Sequence, residues 1–391
     1  MNREDGIKLI LDSKSKFNNR YNKPFGQIIL RLDYSSYLMS DENLQLDSIL
    51  ENNIKEYKAK TGVFGKVFRN RSDVNAIVFL YTETSIAFSK TNKFLKPALM
   101  DLAEIVGPKV KVIEKGSAGS ILRAIKSTNA CIVKNSGILA IGKDLPSAIS
   151  TALVVDKSIQ AEIYGEKLGG IKYISAGDSK SFNKYYSSDY SMKNIGTATP
   201  FIPYDEEETK LRNKIVETAI KLSDNYLVQG TWGNVSIKLN ENEMLITPSA
   251  IDYYEMKPED IVKVNLKSLN YSSNGRIPSS ETKLHKSIYD AKADCNAIIH
   301  THSIALSIFA AANAGFRITN KQMNDLIGNV NISEFALPST DRQCESVNEN
   351  LENSNAVIMA NHGAIFTAKD LDTAFIIADA TETKAGVLLD I

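Results

Sequence analysis

Apolar residues in this chain come in short runs broken by polar and turn-forming residues. AIVFLY (76–81), CIV (131–133) and AII (297–299) suit strands and are far too short to cross a bilayer. A different period governs DEEETKLRNKIVETAIKLSDN (205–225), where apolar positions fall at i, i+3 and i+4 behind a first turn of acids. That pattern predicts an amphipathic helix. DLDTAFIIADATETKAGVLLDI (370–391) also reads as a helix. The stretch from 176 to 204 is rich in Ser, Lys, Asn, Tyr and Gly, has no clear apolar period, and is expected to be an ordered linker or excursion.

The same pattern occurs twice. SDVNAIVFLYTETSIAF from Ser72 lies against ADCNAIIHTHSIALSIF from Ala293, at an offset of 221. STNACIVKNSGILAIGKDLPSA from Ser127 lies against NSNAVIMANHGAIFTAKDLDTA from Asn353, at 226, and FGQIILRLD from Phe25 against WGNVSIKLN from Trp232, at 207. Offsets that grow along the chain and keep their order indicate a duplicated domain with loops of different length. The expected bounds are 1–175 for the first copy and 205–391 for the second, a division that also suits a chain of 391 residues.

The copies differ in their chemistry. All four histidines fall in the second. His300 aligns with Phe79, His302 with Tyr81, His362 with Ser136 and His285 with Phe64, while Glu281 aligns with Lys60. Residues a fold requires would be kept in both copies, so the three imidazoles His300, His302 and His362 point to a ligand set. At i and i+2 on a strand, His300 and His302 face the same way. His362 follows an apolar strand, and Gly363 permits a tight approach. Three imidazoles with one open position describe a catalytic rather than a structural zinc site, and imidazole equally suits Fe, Ni or Cu.

In PSSETKLHKSIYDA (278–291), Ser279 and Ser280 are N-cap types and Glu281 is expected to begin a helix. Helix-start hydroxyls and amides can bind an anion, and Glu281 can serve as a general base beside the metal. His285, one turn on, is expected in a supporting or packing role. QGTWGNVSIKL (229–239) and ITPSA (246–250) supply further loops suited to a phosphate, with Trp232 as a packing residue.

Charge and cysteine content narrow the class. Lys+Arg and Asp+Glu are equal at 46, which leaves no electrostatic footprint for nucleic acid or a membrane surface. The N-terminus has no apolar signal core, and Cys131, Cys295 and Cys344 form no C-x-x-C. A cytoplasmic protein with buried thiols is expected.

The ordered motifs GTWGNVS, ITPSA, PSSE, HTH and NHGA cover the second half and resemble the class II aldolase/adducin family. The resemblance implies two tandem three-layer α/β/α domains on mainly antiparallel sheets, the first without metal ligands. It implies a zinc ion, or another divalent ion, on His300, His302 and His362, and no other cofactor. It implies Glu281 as the base and Thr231, Asn234, Ser249, Ser279 and Ser280 as the phosphate pocket. The implied reaction is retro-aldol cleavage of a ketose 1-phosphate through a metal-stabilised enediolate, with desolvation raising the Glu281 pKa. Dehydration, 4-epimerisation and decarboxylation by relatives are alternatives, as is a non-catalytic, adducin-like interaction protein. The expected partner is a small phosphorylated sugar, and the expected assembly is a homo-oligomer, either a tetramer or a dimer forming a pseudo-tetramer. Two departures stand out. Ala250 replaces the glycine usual after ITPS, which would narrow the phosphate pocket. No tyrosine follows Tyr289 to act as the acid lent by a neighbouring subunit, which leaves Lys321 or Asn324 as a substitute, or the acid absent.

Overall fold

The computed structural model describes residues 1–391 apart from Asn18, Asn92, 188–195 and Ile202. It divides into two compact units, Met1–Glu166 with Tyr173–Tyr186, and Lys167–Lys172 with Ser187–Ile391. In the stretch read as an ordered linker, 176–204, Ala176–Ser187 is a helix whose residues to Tyr186 group with the first unit, and Ala198–Thr199 pairs parallel with Tyr271–Ser272 in the second. The rest of that stretch includes residues outside the described ones.

Each unit is built on one mixed sheet. In the first, the strand order runs Ile54–Lys58, Ser36–Ser40, Phe25–Arg31, Ala76–Tyr81, Gly137–Gly142, Ala130–Val133, Val110–Ile113, Phe94–Leu95. In the second it runs Ala198–Thr199, Tyr271–Ser272, Val262–Asn265, Glu243–Ile246, Gly233–Asn240, Ala297–Thr301, Ala364–Ala368, Ala356–Met359, Asn331–Ser333. The shared part of the order is the same, and so is the register. Gln27 faces Phe79 across one strand pair, and Asn234 faces His300 across the equivalent pair. Both sheets are antiparallel but for a parallel pair at the same place, Val110–Ile113 with Ala130–Val133 and Asn331–Ser333 with Ala356–Met359, to which the second adds its Ala198–Thr199 edge.

In the second unit the Ala297–Thr301 strand is central and buried at every position. Helices cover both faces of such a strand, which explains a run with no alternation of polar and apolar residues. On one face, Leu284 and Ile288 of the Thr282–Ala291 helix and Val347 of the Asp341–Leu351 helix pack with Met244, Val264 and Ile298. The Leu371–Leu389 helix and the fully buried Ile304–Ala312 helix pack together and against the central strands on the other. All three cysteines are buried, and burial pushes the Cys131 and Cys295 thiols up to about 12. Among the described residues, no helix is long and apolar enough to cross a membrane.

Candidate metal centre

The site lies where three neighbouring strands and one helix end together. His300 is the fourth residue of the Ala297–Thr301 strand, and His302 follows directly after its end. His362 occupies the turn between Ala356–Met359 and Ala364–Ala368. That turn closes tightly because Gly363 has no side chain. A Cβ there would stand 2.3 Å from the Thr301 carbonyl oxygen, 3.0 Å from His300 Cε1 and 3.3 Å from His302 Cδ2. Asn361, at φ 61°, takes the left-handed conformation that asparagine tolerates. Its amide donates to the Lys172 carbonyl at 2.7 Å, so the segment preceding the second copy braces the turn that carries His362.

The three rings converge. Their centroids lie 4.7, 5.0 and 4.9 Å apart, and their ligand atoms all fall within 4.8 Å of one another. All three side chains are buried. His300 Nδ1 is 2.9 Å from the Ala364 carbonyl, which can only accept, so Nδ1 carries a hydrogen and Nε2 is the atom turned to the cluster. Nε2 lies 2.8 Å from His302 Nε2 and 3.0 Å from Glu281 Oε2, with His362 Nε2 3.7 Å from Glu281 Oε1. Nitrogen and oxygen donors so close together suit a shared positive centre. The donor set fits a divalent cation, with nitrogen ligands for zinc and a carboxylate at its edge.

Glu281 stands at the N-cap position, and the helix proper begins at Thr282, one residue later than expected. Its amide donates to Ser279 Oγ at 3.3 Å. Asn234 Nδ2 donates to Oε2 at 2.9 Å, whereas Oε1 is buried without a hydrogen bond. The expected rise in pKa is not found. Burial pushes the carboxyl up, but His300, His362 and the Asn234 amide together hold it below the ordinary carboxylate value. His285 is not among the converging rings. It is fully buried, shares a hydrogen with Ser236 Oγ at 2.7 Å, and is pushed down to about 3 by burial and by the charge of His300.

The residues expected to bind phosphate are not one cluster of free hydroxyls. Asn234 lies within a strand, not in the loop, and turns to Glu281. Ser249 Oγ donates to the Pro278 carbonyl, and the two chain segments meet in a bridge between Pro248 and Pro278. Ser279 is buried and tied to Thr247 through its backbone, Ser280 is half-buried, and Thr231 is exposed. Trp232 is half-buried. Ala250 is held at φ 58°, where glycine is favoured, but its side chain is exposed. The proposed acids Lys321 and Asn324 face solvent, and Lys321 is paired with Asp325 at 2.7 Å.

Two residues not singled out in the sequence shape the site. Glu382 is fully buried in the last helix. It accepts from Ser303 Oγ and from the Ala305 and Leu306 amides, which anchors the helix that follows His302. The repeat held a signal for it, because Asp156 aligns with Glu382 at offset 226 and accepts from Thr82 Oγ1. Tyr253 is buried beside Thr247; burial raises its phenol pKa and the charge of Glu281 adds to that.

Comparison with known proteins agrees with this architecture. The family model described as Class II Aldolase and Adducin N-terminal domain matches residues 23–163 and again 213–389. A 5-deoxy-D-ribulose 1-phosphate aldolase of Bacillus thuringiensis is 33% identical over 179 residues, 46% of this chain and 84% of its own. An L-fuculose phosphate aldolase of Haemophilus influenzae is 31% identical over 185 residues, 45% of this chain and 81% of its own. A solved L-fuculose 1-phosphate aldolase structure is 30% identical, covers 46% of this chain and 84% of its own, and has a TM-score of 0.43.

Proposed function

This chain belongs to the class II aldolase and adducin family, with two tandem copies of the domain, and from that membership we propose that its second copy is a zinc-dependent lyase of a ketose 1-phosphate. The observation that carries the reading is the convergence of three buried imidazoles on one carboxylate. His300, His302 and His362 would hold a divalent ion, zinc or another. Such an ion supplies Lewis-acid stabilisation of the charge that builds on substrate oxygens as the bond beside a carbonyl breaks. Glu281 is the base. Asn234 fixes its Oε2, which leaves Oε1 to take the proton of the substrate hydroxyl as the bond breaks and to return it to the carbon that the broken bond leaves. The carboxyl is ionised at neutral pH, and its burial keeps bulk water from competing for that proton. Thr231, Ser249, Ser279 and Ser280 offer hydroxyls, and with Asn234 they are the groups we assign to the phosphate.

The decisive experiment is an assay of zinc-loaded protein against a panel of ketose and aldose phosphates, scoring cleavage, dehydration, decarboxylation and epimerisation together, with Glu281→Gln as control. Protein that binds no stoichiometric metal and turns over nothing on the panel would instead favour the adducin-like, non-catalytic reading. For the first copy, we propose that it fills alternate places in a ring of four domains made by two chains. Light scattering that gives a four-chain ring in which only second copies touch would reject that arrangement.

A further inference from the structure

The second copy carries a buried polar cluster that neither the ligand set nor the phosphate groups use. Ser236 Oγ lies 2.7 Å from His285 Nδ1 and 2.7 Å from Tyr289 OH, and all three side chains are buried. At the same places the first copy has Ile29, Phe64 and Phe68. Ile29 and Phe68 belong to an ordinary hydrophobic cluster with Ile77 and Leu139, and half-buried Phe64 packs against it. The frame therefore closes well without the polar trio. Burying two hydroxyls and an imidazole also carries a desolvation cost that the apolar trio avoids. A feature that is unnecessary to the fold, costly, and confined to the copy with the imidazole cluster calls for a role at that cluster.

Its placement gives the role. Glu281, His285 and Tyr289 follow one another at successive turns along one face of a helix. Asn234 and Ser236 follow one another along one face of the adjoining strand. Asn234 grips Glu281, and Ser236 grips both His285 and Tyr289. The helix is thus fastened to the strand by two consecutive rungs, and the Glu281 carboxylate stands at the free end, where any rotation of the helix is felt. We propose that Ser236, His285 and Tyr289 are positioning residues, a lower rung that fixes the Thr282–Ala291 helix so that Glu281 meets the imidazoles. The inference rests on the metal-centred reading of the site.

The test replaces the trio by its apolar counterparts, Ser236→Ile with His285→Phe and Tyr289→Phe. Tyr289→Phe and Ser236→Ala serve as milder variants that decide the question if the triple variant does not fold. Melting temperature, metal stoichiometry, kcat and KM are measured, together with the visible absorption of the cobalt(II)-loaded protein, which reports ligand geometry. We expect normal melting, one bound metal, little change in KM, and a kcat about 10–100-fold lower, the usual effect of removing a supporting shell. A purely structural role predicts lower melting with kcat per bound metal unchanged, and that result overturns the proposal. If the wild-type protein turns over no sugar phosphate, the proposed reaction fails and cobalt absorption alone decides. A spectrum altered by the substitutions then upholds positioning, and an unaltered one rejects it.

Discussion

Gly26 of the first copy and Gly233 of the second occupy the same point on the same strand. A Cβ there would strike the carbonyl oxygen of Phe79 in one copy and of His300 in the other. Gly137 and Gly363 repeat the relation, the first pressed on Leu80 and Tyr81, the second on Thr301 and the two histidines. The hydroxyl of Ser40 accepts from the Ile28 amide as Thr247 accepts from Val235, and Asp156 meets Thr82 as Glu382 meets Ser303. These contacts survive in both copies because the backbone cannot close without them. The imidazoles, Glu281 and the Ser236–His285–Tyr289 trio survive in only one. Subtracting one copy from the other therefore separates what the fold needs from what the site needs.

The comparison can be broken most forcefully at the ligands. His302→Ala should lose stoichiometric metal and all turnover, whereas Tyr81→Ala in the first copy should leave metal content unchanged; elemental analysis reads both. Glu281→Gln should keep its metal and lose about 10²–10⁴ in kcat, the range for a positioned base. Undiminished turnover would reject Glu281 as the base. If the glycines belong to the frame, Gly363→Ala and Gly137→Ala should each destabilise their own unit by about 1–3 kcal/mol, read by urea unfolding. Loss in one copy only would show that the close approach is not a shared requirement.

A smaller, pH-dependent effect concerns His285. Its folded pKa, about 3, lies below its ordinary value of about 6.5. The unfolded chain therefore binds the extra proton in this window. The corresponding stability is complete above about pH 6.5 and is lost as pH falls toward 3, at a slope approaching about 1.4 kcal/mol per pH unit. His285→Phe should remove that slope from the metal-free protein, and an unchanged slope would contradict a buried neutral imidazole. The smallest effect is expected at Ala250. Asn43, which aligns with it, sits at φ 61° and tolerates that region, whereas alanine at φ 58° is strained. Ala250→Gly should stabilise by about 1 kcal/mol or less, with KM for the phosphate substrate unchanged because the side chain is exposed.

Much of this protein was legible as sequence. The repeat, the short strands and the three imidazoles follow from one chain read against itself, because side-chain period and residue type are local properties. The composition of 176–204 suggests an ordered linker or excursion, but it does not reveal that Ala198–Thr199 finds a parallel partner in Tyr271–Ser272. The motif around Asn234 reads as a loop, but pairing with the central strand makes that residue part of the sheet and aims its amide at Glu281.

By itself the sequence determined that one copy would carry the histidines and the other would not, since candidate ligand atoms are either encoded or absent. Only the tertiary structure decided the state of those atoms. A carboxylate expected to be raised by burial is instead lowered, because two imidazoles and an amide from distant segments stand beside it. Likewise a histidine one turn below Glu281 points into the interior and not at the other three imidazoles, because Ser236 on the neighbouring strand holds it there. Electrostatic fields and hydrogen-bond partners depend on distances across the fold, and a linear pattern does not contain those distances.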